Sequence, residues 1–395
     1  MRQLGVIEKL GLHLNHSSYD AVLIFGADNI RYVTGASVPF LPALERGAVA
    51  CLLIKGSEPV LLVPAWLRDT FRDQGMVRNV KAYGHARSVA GSVHELVTAV
   101  ANRGDIADAT IGVTKERVPA SLFAELRKQL PDARFESCDS WLRTQRMVKT
   151  AAERRLLEDA AFKTDHAIAA AAHHVMLYAA RPEKGLSEIL RVHCLERELD
   201  MTGYESLAVG ASGSHATQQW PEAPFFGVGR GKHLAENELV RMEIRTSLDG
   251  YWTDAARLLT MGKPTTAQHK SYNELCLVRD KVVDLLKPGV PCNSIAQEVI
   301  DFCRSRDIGL LSDLGIGHGV GVAPVEAPYI DGSDVTEIET GMVLVVAPTI
   351  TGPEGELMRS HETVVIEPEG ARIIGWYRDW NTPYVAAQSW QHGGG

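Results

Sequence analysis

MEIRTSLDGYWTDAAR, residues 242–257, is the stretch that decides the fold. It joins two predicted strands, residues 238–247 and 255–261. Two further stretches rich in His, Arg and carboxylates follow: GIGHGVGVAPVEAP (315–328), and GMVLVVAP (341–348) paired with MRSHETVV (358–365). These fall at or near strands predicted at 342–347 and 361–367. Runs of strands interrupted by helices predict an α+β domain with a curved antiparallel sheet.

Composition and charge narrow the class of protein. The chain has 395 residues, 45% hydrophobic and 23% charged, which suits a soluble globular protein of two domains. A net charge of -8 argues against nucleic acid or an anionic membrane as main partner. No apolar run is long enough for a membrane span. Six cysteines without CxxC spacing are interpreted as reduced thiols of a cytoplasmic protein.

The chain divides into two predicted domains, 1–148 and 149–395. The first alternates strand and helix signals and is expected to be an α/β domain with a mixed sheet. Its predicted strands are 21–25, 48–54, 59–63 and 109–113, and its predicted helices are 88–101 and 120–129. The second begins with a long Ala-rich helix, 149–174. Further helices are predicted at 187–199, 267–286 and 294–307.

The quoted stretches resemble, in order, three motifs of the creatinase / aminopeptidase P / methionine aminopeptidase family. These are D-x-G…G-Y-x-S-D-x-x-R, then G-H-G-x-G…H-E-x-P, then G-M-x-x-x-x-E-P followed by R-x-E-D-T. NIRYVTG (29–35) and VKTAAE (148–153) are weaker matches to N-I-x-Y-L-T-G and K-S-x-x-E. The resemblance implies a pita-bread catalytic domain of class α+β behind a smaller α/β creatinase-like domain.

The resemblance also implies a homodimer. In this family the N-terminal domain commonly reaches the active site of a partner subunit. The loop carrying Phe40, Glu45 and Arg46 is where that contact is expected.

Several residues of the family's site are retained. Asp254 stands at the second aspartate position, and His318 at the ligand histidine of G-H-G-x-G. Arg359 is the arginine of R-x-E-D, and Glu326 is the glutamate of H-E-x-P. In the family such carboxylates and imidazole hold two metal ions that activate a shared water.

Other positions have changed their chemistry. The first aspartate is Glu243, and the glycine two residues on is Arg245. The E-P glutamate is Ala347, and the R-x-E-D glutamate is His361. Trp220 stands where a substrate-contacting histidine is usual. Because one imidazole nitrogen cannot bridge two metals, we expect no two-metal centre.

Two kinds of site remain open from the sequence. Asp254, His318 and His361, with Glu243 near, could hold one divalent metal (Fe, Zn or Mn) per chain. A metal-free site is equally consistent with these residues: His318 or His361 as base, with Glu243 or Asp254 as its orienting partner. The guanidinium groups of Arg245, Arg257 and Arg359 could then clamp a substrate carboxylate.

The predicted function is hydrolysis of a C–N bond in a small polar metabolite, with a carboxylated one as an open option, and not ordinary two-metal Xaa-Pro peptidase activity. One alternative is a lyase acting by β-elimination, since a base alone suffices for it. The other is a binding protein without catalysis, in which Asp254–Arg257 and Glu362–Arg359 would be structural ion pairs. Catalysis is assigned to His318, His361, Glu243 and Asp254, and substrate contacts to Arg245, Trp220, Tyr251, Arg359 and Glu326.

Overall fold

A computed structural model describes residues 5–37, 48–84, 92–102, 106–177, 182–201, 206–213, 216 and 232–386. The chain forms two compact units, Met1–Arg146 and Met147–Gly395. The boundary predicted from the sequence falls two residues further along.

The N-terminal unit is a six-stranded mixed sheet with helices, as predicted. Its strand order is β4-β3-β2-β1-β5-β6, with antiparallel β1–β2 and β2–β3 pairs and the remaining pairs parallel. The bounds are α1 Val6–Asn15, β1 Ala21–Ile24, α2 Ala27–Thr34, β2 Ala50–Ile54, β3 Val60–Pro64, α3 Arg68–Gln74, β4 Asn79–Tyr83, α4 Ser92–Ala101, β5 Thr110–Val113, α5 Ala120–Gln129, β6 Arg134–Ser137 and α6 Asp139–Met147.

The C-terminal unit combines two larger antiparallel sheets with long helices. One sheet has the order β11-β10-β12-β15-β16, the other β17-β9-β8-β7, and β13–β14 form a separate pair. Among the described strands of this unit, only β17 runs parallel to its neighbour, β9. The bounds are α7 Ala151–Leu177, α8 Glu183–Leu195, β7 Leu207–Ser212, β8 Leu239–Leu248, β9 Tyr251–Met261, α9 Thr266–Leu285, α10 Cys292–Arg304, β10 Gly317–Gly319, β11 Glu326–Tyr329, β12 Val343–Val346, β13 Thr349–Thr351, β14 Leu357–Arg359, β15 Glu362–Glu367, β16 Gly370–Ile373 and β17 Tyr384–Ala386.

The β8–β9 hairpin organises this unit. Its two strands pair continuously from Leu239↔Thr260 to Leu248↔Tyr251. The turn residues Asp249 and Gly250 both have positive φ, 48° and 80°. A two-residue hairpin turn of this kind requires positive φ at both positions, and Asp-Gly is a preferred sequence for it. The turn therefore fixes which β8 residue lies opposite which β9 residue.

An apolar core supports one side of the sheets. Val278 and Val282 of α9 and Ile295 of α10 pack in one cluster with Leu344 of β12 and Val364 of β15. All five are fully buried, and each burial of this kind contributes about 1.5–3 kcal/mol. The strands β8 and β9, which carry the site, are packed against the long helix α7.

Two further predictions concern membrane-spanning helices and the redox state of the cysteines. Within the described ranges, no helix is long and apolar enough to cross a membrane. All six cysteines lie in those ranges and are free. Burial raises the pKa of Cys51 and of Cys194 to about 12, so these thiols stay protonated at neutral pH.

Candidate functional site

A row of charged side chains lines one face of β8. Alternate residues of a strand share a face, which places Arg241, Glu243 and Arg245 together. Arg245 lies directly opposite Asp254 of β9 in the antiparallel register. Directly opposed residues project to the same side of a sheet, so Asp254 joins the row. The hairpin thus places two arginines, Arg241 and Arg245, beside the carboxylates of Glu243 and Asp254. Strand β14 adds a third arginine, Arg359.

Asp254 is held on both carboxylate oxygens. Its Oδ1 lies 2.9 Å from Nδ1 of His361, and its Oδ2 accepts hydrogen bonds from Arg245 Nε and Nη2 at 3.1 and 3.0 Å. Burial by itself would raise the pKa of Asp254, but His361 and then Arg245 outweigh it and hold the pKa well below its usual range. Asp254 is therefore a buried, ionised carboxylate.

Glu243 is bracketed by two other guanidinium groups. Its Oε1 lies 3.0 Å from Arg241 Nε and 3.2 Å from Arg359 Nη1. Burial would raise its pKa, but Arg241, followed by Arg359 and His361, lowers the pKa to about 2. Glu243 also stays ionised at neutral pH.

The backbone fixes His361 beside β9. A β-bridge pairs it with Ala256, and its carbonyl accepts a 2.7 Å hydrogen bond from Arg257 Nη1. Since Nδ1 is used by Asp254, the imidazole's Nε2 is the free nitrogen, and it has no hydrogen bond to the described residues. Val346 pairs with Glu362 at the end of the β12–β15 ladder, and Ala347 follows Val346 in the chain. The small alanine leaves that position without a carboxylate.

His318 sits on β10 and has a different environment. Its Nδ1 lies 3.0 Å from the carbonyl oxygen of Gly319. Burial lowers the pKa of His318 to about 4, because the Gly319 contact and Asp254 only partly oppose it. His318 is therefore neutral at pH 7.

Arg359 is incompletely paired. In the part of the chain that the structure describes, its single hydrogen bond is the one from Nη1 to Glu243. Its Nε is buried without a partner. Leaving a buried donor unsatisfied costs about 1–3 kcal/mol, so such a group in a folded protein calls for an explanation.

The other predicted substrate contacts lie elsewhere or outside the described ranges. Tyr251 is buried, and its hydroxyl donates a 2.9 Å hydrogen bond to Glu153 of α7. Glu326, on β11 beside β10, forms a 3.0 Å buried ion pair with Lys149. Trp220 is outside the described ranges. So are the loop residues Phe40, Glu45 and Arg46.

A second ion network lies on the other face of β9. Arg257 is buried and donates from Nε and Nη2 to Asp165 Oδ1 at 3.1 and 2.8 Å, and from Nη2 to Glu362 Oε2 at 2.9 Å. The indole nitrogens of Trp376 and Trp380 donate to Glu362 and Asp165 at 2.6 and 2.9 Å. Every nitrogen of Arg257 thus has a hydrogen-bond acceptor, while its single guanidinium serves two carboxylates.

This network corrects two pairings expected under the non-catalytic interpretation. Asp254 pairs with Arg245, not Arg257, because residues 254 and 257 of a strand project to opposite faces. Glu362 pairs with Arg257, not Arg359, and Arg359 reaches Glu243 instead.

Sequence reasoning missed Arg241 and the Lys149–Glu326 pair. A signal for Arg241 exists, since an arginine two positions before Glu243 in a strand must share its face. Lys149 had no such signal, because Glu326 is distant in sequence.

The donor set does not fit a resident metal as it is arranged. Oδ1 of Asp254 is taken up by His361 and Oδ2 by Arg245, Oε1 of Glu243 contacts two guanidinium groups, and among the described residues three arginines face two carboxylates. Positive charge at this density opposes a divalent cation. Among the described residues, no group of three His, Cys, Asp or Glu side chains has the arrangement of a metal site. The predicted set Asp254, His318 and His361 therefore does not have it either.

Comparison with known proteins identifies the family. The sequence profile of metallopeptidase family M24 matches residues 155–368, more than half of the chain. The Creatinase/Prolidase N-terminal domain matches residues 7–148. The chain belongs to metallopeptidase family M24. This membership confirms the predicted family and pita-bread fold, and it places the M24 chain among hydrolases.

The relatives of this M24 chain are distant but match it over nearly the whole length. It is similar to the Xaa-Pro dipeptidase of Pyrococcus horikoshii, 23% identical over 371 residues, 93% of this chain and 96% of the relative. It is also similar to the putative dipeptidase YkvY of Bacillus subtilis, 22% identical over 374 residues, 94% of this chain and 97% of the relative. Among solved structures, the X-Pro aminopeptidase from Thermotoga maritima superposes with TM-score 0.77 at 19% identity, covering 96% and 99% of the two chains. This structural likeness supports the fold alone.

Proposed function

We propose that this M24 chain hydrolyses a C–N bond in a small polar metabolite without a resident metal. In this proposal His361 is the general base and then the general acid, and Asp254 is its positioning residue. The supporting observation is the 2.9 Å contact between His361 Nδ1 and Asp254 Oδ1. An ionised carboxylate on one imidazole nitrogen orients the ring and leaves the other nitrogen available as a base.

His361 suits this role better than His318. A general base works best when its pKa lies near the working pH, and burial lowers the pKa of His318 to about 4. Among the described residues no carboxylate is hydrogen-bonded to His318, whose Nδ1 lies 3.0 Å from the Gly319 carbonyl oxygen. As a neutral group near Asp254, it can instead position the substrate.

The proposed reaction uses one water and returns the proton. His361 Nε2 takes a proton from water as the oxygen adds to the carbon of the C–N bond. Asp254 stabilises the resulting imidazolium through Nδ1–H. His361 then gives the proton to the leaving nitrogen as the C–N bond breaks, and neutral His361 is restored.

The proposal is tested by metal analysis combined with a substrate screen. Protein purified without a metal column should hold well under one iron, zinc or manganese per chain, and EDTA treatment should leave turnover unchanged. His361→Gln should abolish amine release from small amides, while His269→Gln, an exposed histidine on α9, should not. About one metal per chain, lost in His361→Gln, would overturn the metal-free assignment.

The same screen separates the two alternatives. A lyase would release an alkene, whereas a hydrolase releases an amine or ammonia and consumes water. A binding protein would turn over none of the compounds and would tolerate His361→Gln without change in ligand affinity.

We further propose that the chain is a homodimer and that it is cytoplasmic, both following from the family resemblance and composition. Sedimentation at micromolar concentration tests the assembly. A mass of one chain across that range would contradict the dimer.

A further inference from the structure

The site carries an excess of positive charge. Among the described residues, Arg241, Arg245 and Arg359 bring three guanidinium groups to the two carboxylates of Glu243 and Asp254, so the guanidinium groups outnumber the carboxylates by one. The neighbouring Lys149–Glu326 pair is neutral and does not change this balance. A buried cluster with this excess favours an anion as its ligand.

Among the described residues the excess is carried most openly by Arg359, because the Nε of Arg241, which also lacks a hydrogen bond, lies 3.0 Å from Glu243 Oε1. In a guanidinium group, Nε and Nη2 form a fork that matches the two oxygens of a carboxylate. Arg257 uses this edge on Asp165, and Arg245 uses it on Asp254. Arg359 spends only Nη1, on Glu243. Its Nε is buried and unpartnered, and no described residue accepts from Nη2.

We propose that the Nε–Nη2 edge of Arg359 is a subsite for a carboxylate group of the substrate. Glu243 orients the arginine by accepting from Nη1, and Arg241 shares the charge of Glu243, so that the Arg359 fork is not neutralised. The Arg359 side chain is 14% exposed and its Nε is buried, so the charge is largely desolvated. A neutral ligand of the same shape would leave this desolvated guanidinium unpaired, so the site should bind a carboxylate much more tightly than a neutral group.

The position of Arg359 also limits substrate size. This step rests on the proposed function, because it measures from the proposed base. Arg359 and His361 are separated by Ser360 alone, so their Cα atoms lie at most roughly 7 Å apart. Both also act on the pKa of Glu243. The carboxylate is therefore expected within a few bonds of the scissile C–N bond, as in an N-acyl amino acid.

Binding of matched probes tests the subsite without requiring turnover. N-acetylglycine should bind the wild-type protein at least about tenfold more tightly than the neutral N-acetylglycinamide, measured by calorimetry. Arg359→Met should remove that difference. Arg359→Lys, which keeps the charge and loses the fork, should retain only part of it. Arg372→Met, at an exposed arginine on β16, should leave it unchanged.

Each outcome bears on the proposal. Equal binding of the two probes by the wild type, or a preference that survives Arg359→Met, overturns it. If inorganic phosphate competes as well as N-acetylglycine, the site takes anions generally and the carboxylate assignment is wrong. Should Arg359→Met fail to fold, Arg359→Lys still decides the matter.

The subsite and the reaction can fail separately. If carboxylate binding persists in His361→Gln and the wild type hydrolyses no amide, the proposed reaction is contradicted and the carboxylate subsite is supported. If hydrolysis depends on His361 but is equally efficient with neutral and carboxylated amides, the proposed reaction is supported and the carboxylate subsite is contradicted.

Discussion

The two faces of β9 carry two ion networks that differ in how completely the donors of their arginines are occupied. On the face towards α7, Arg257 is enclosed by Asp165 and Glu362, and two indole N–H groups donate to these carboxylates. On the other face, Asp254 belongs to a cluster in which the described guanidinium groups outnumber the carboxylates by one. There most donors of Arg359 have no partner among the described residues.

The difference separates a structural network from a candidate binding site built of the same residue types. A closed network stabilises the fold only as a whole, since removal of one member leaves a buried charge unpaired. An open one keeps donors unsatisfied in the unliganded protein, a cost that a ligand can offset. Arginine–carboxylate pairs in the sequence do not distinguish the two, whereas the number of occupied donors does.

The largest effect is expected from opening the closed network. Arg257→Met leaves Asp165 and Glu362 buried without their main cation, and should lower the free energy of unfolding by about 3–5 kcal/mol. Denaturation in urea measures the change. The contrast between the faces is lost if Arg257→Met costs no more than Arg372→Met at the surface.

A smaller effect, now on activity, is expected on the open face. Asp254→Asn should lower kcat about hundredfold, equal to about 2.7 kcal/mol on the barrier, because an amide no longer selects the His361 tautomer with a free Nε2.

A purely structural role for Asp254 predicts something else. KM and kcat would then both change with the free energy of unfolding, and kcat would not fall by itself. Asp313→Asn, an exposed position, serves as the matched control.

The pH dependence of stability tests the environment of His318. Its pKa is lowered to about 4 in the fold, against about 6.5 in the unfolded chain. Between these values the unfolded chain binds the additional proton, so the folded state loses stability as the pH falls from about 6.5 to about 4. Because His318 is only half-buried, we expect a loss on the order of 2 kcal/mol.

A non-titrating variant isolates this contribution. Asp254, Arg245 and His361 also act on His318, and Glu243, with a pKa of about 2, loses its contribution only at lower pH. His318→Gln should flatten the curve between about pH 6.5 and 4 and leave the more acidic part unchanged. An identical slope in both proteins would contradict the assignment.

Much of the fold was predictable because local signals agree with it. The periodicity placed α5 at residues 120–129 as observed, and the predicted strands differ from the observed ones at their ends. Strand 255–261 was the larger miss. It begins at Tyr251, because the Asp249–Gly250 turn lets pairing continue to the hairpin's end.

The site was predictable only in part. Motif positions identified Glu243, Arg245, Asp254, His318, Arg359 and His361, and the structure places Asp254, His361 and Arg245 in contact. Partner choice was not predictable, since it depends on which face of a strand each side chain occupies and on long-range pairing. Tyr251 shows this: its hydroxyl is bound to Glu153 on α7, which no local pattern indicates.

The smallest expected effect completes the comparison with Arg257. Arg359→Met removes one hydrogen bond at 3.2 Å but also removes unsatisfied donors, and Arg241 still pairs with Glu243. The free energy of unfolding should therefore fall by less than about 1 kcal/mol. With N-acetylglycine at about a hundred times its Kd, the wild type should gain about 2.7 kcal/mol, and the variant should gain none. A loss from Arg359→Met as large as that from Arg257→Met would mean that both faces of β9 are structural, because a group left open for a ligand cannot also be essential to the unliganded fold.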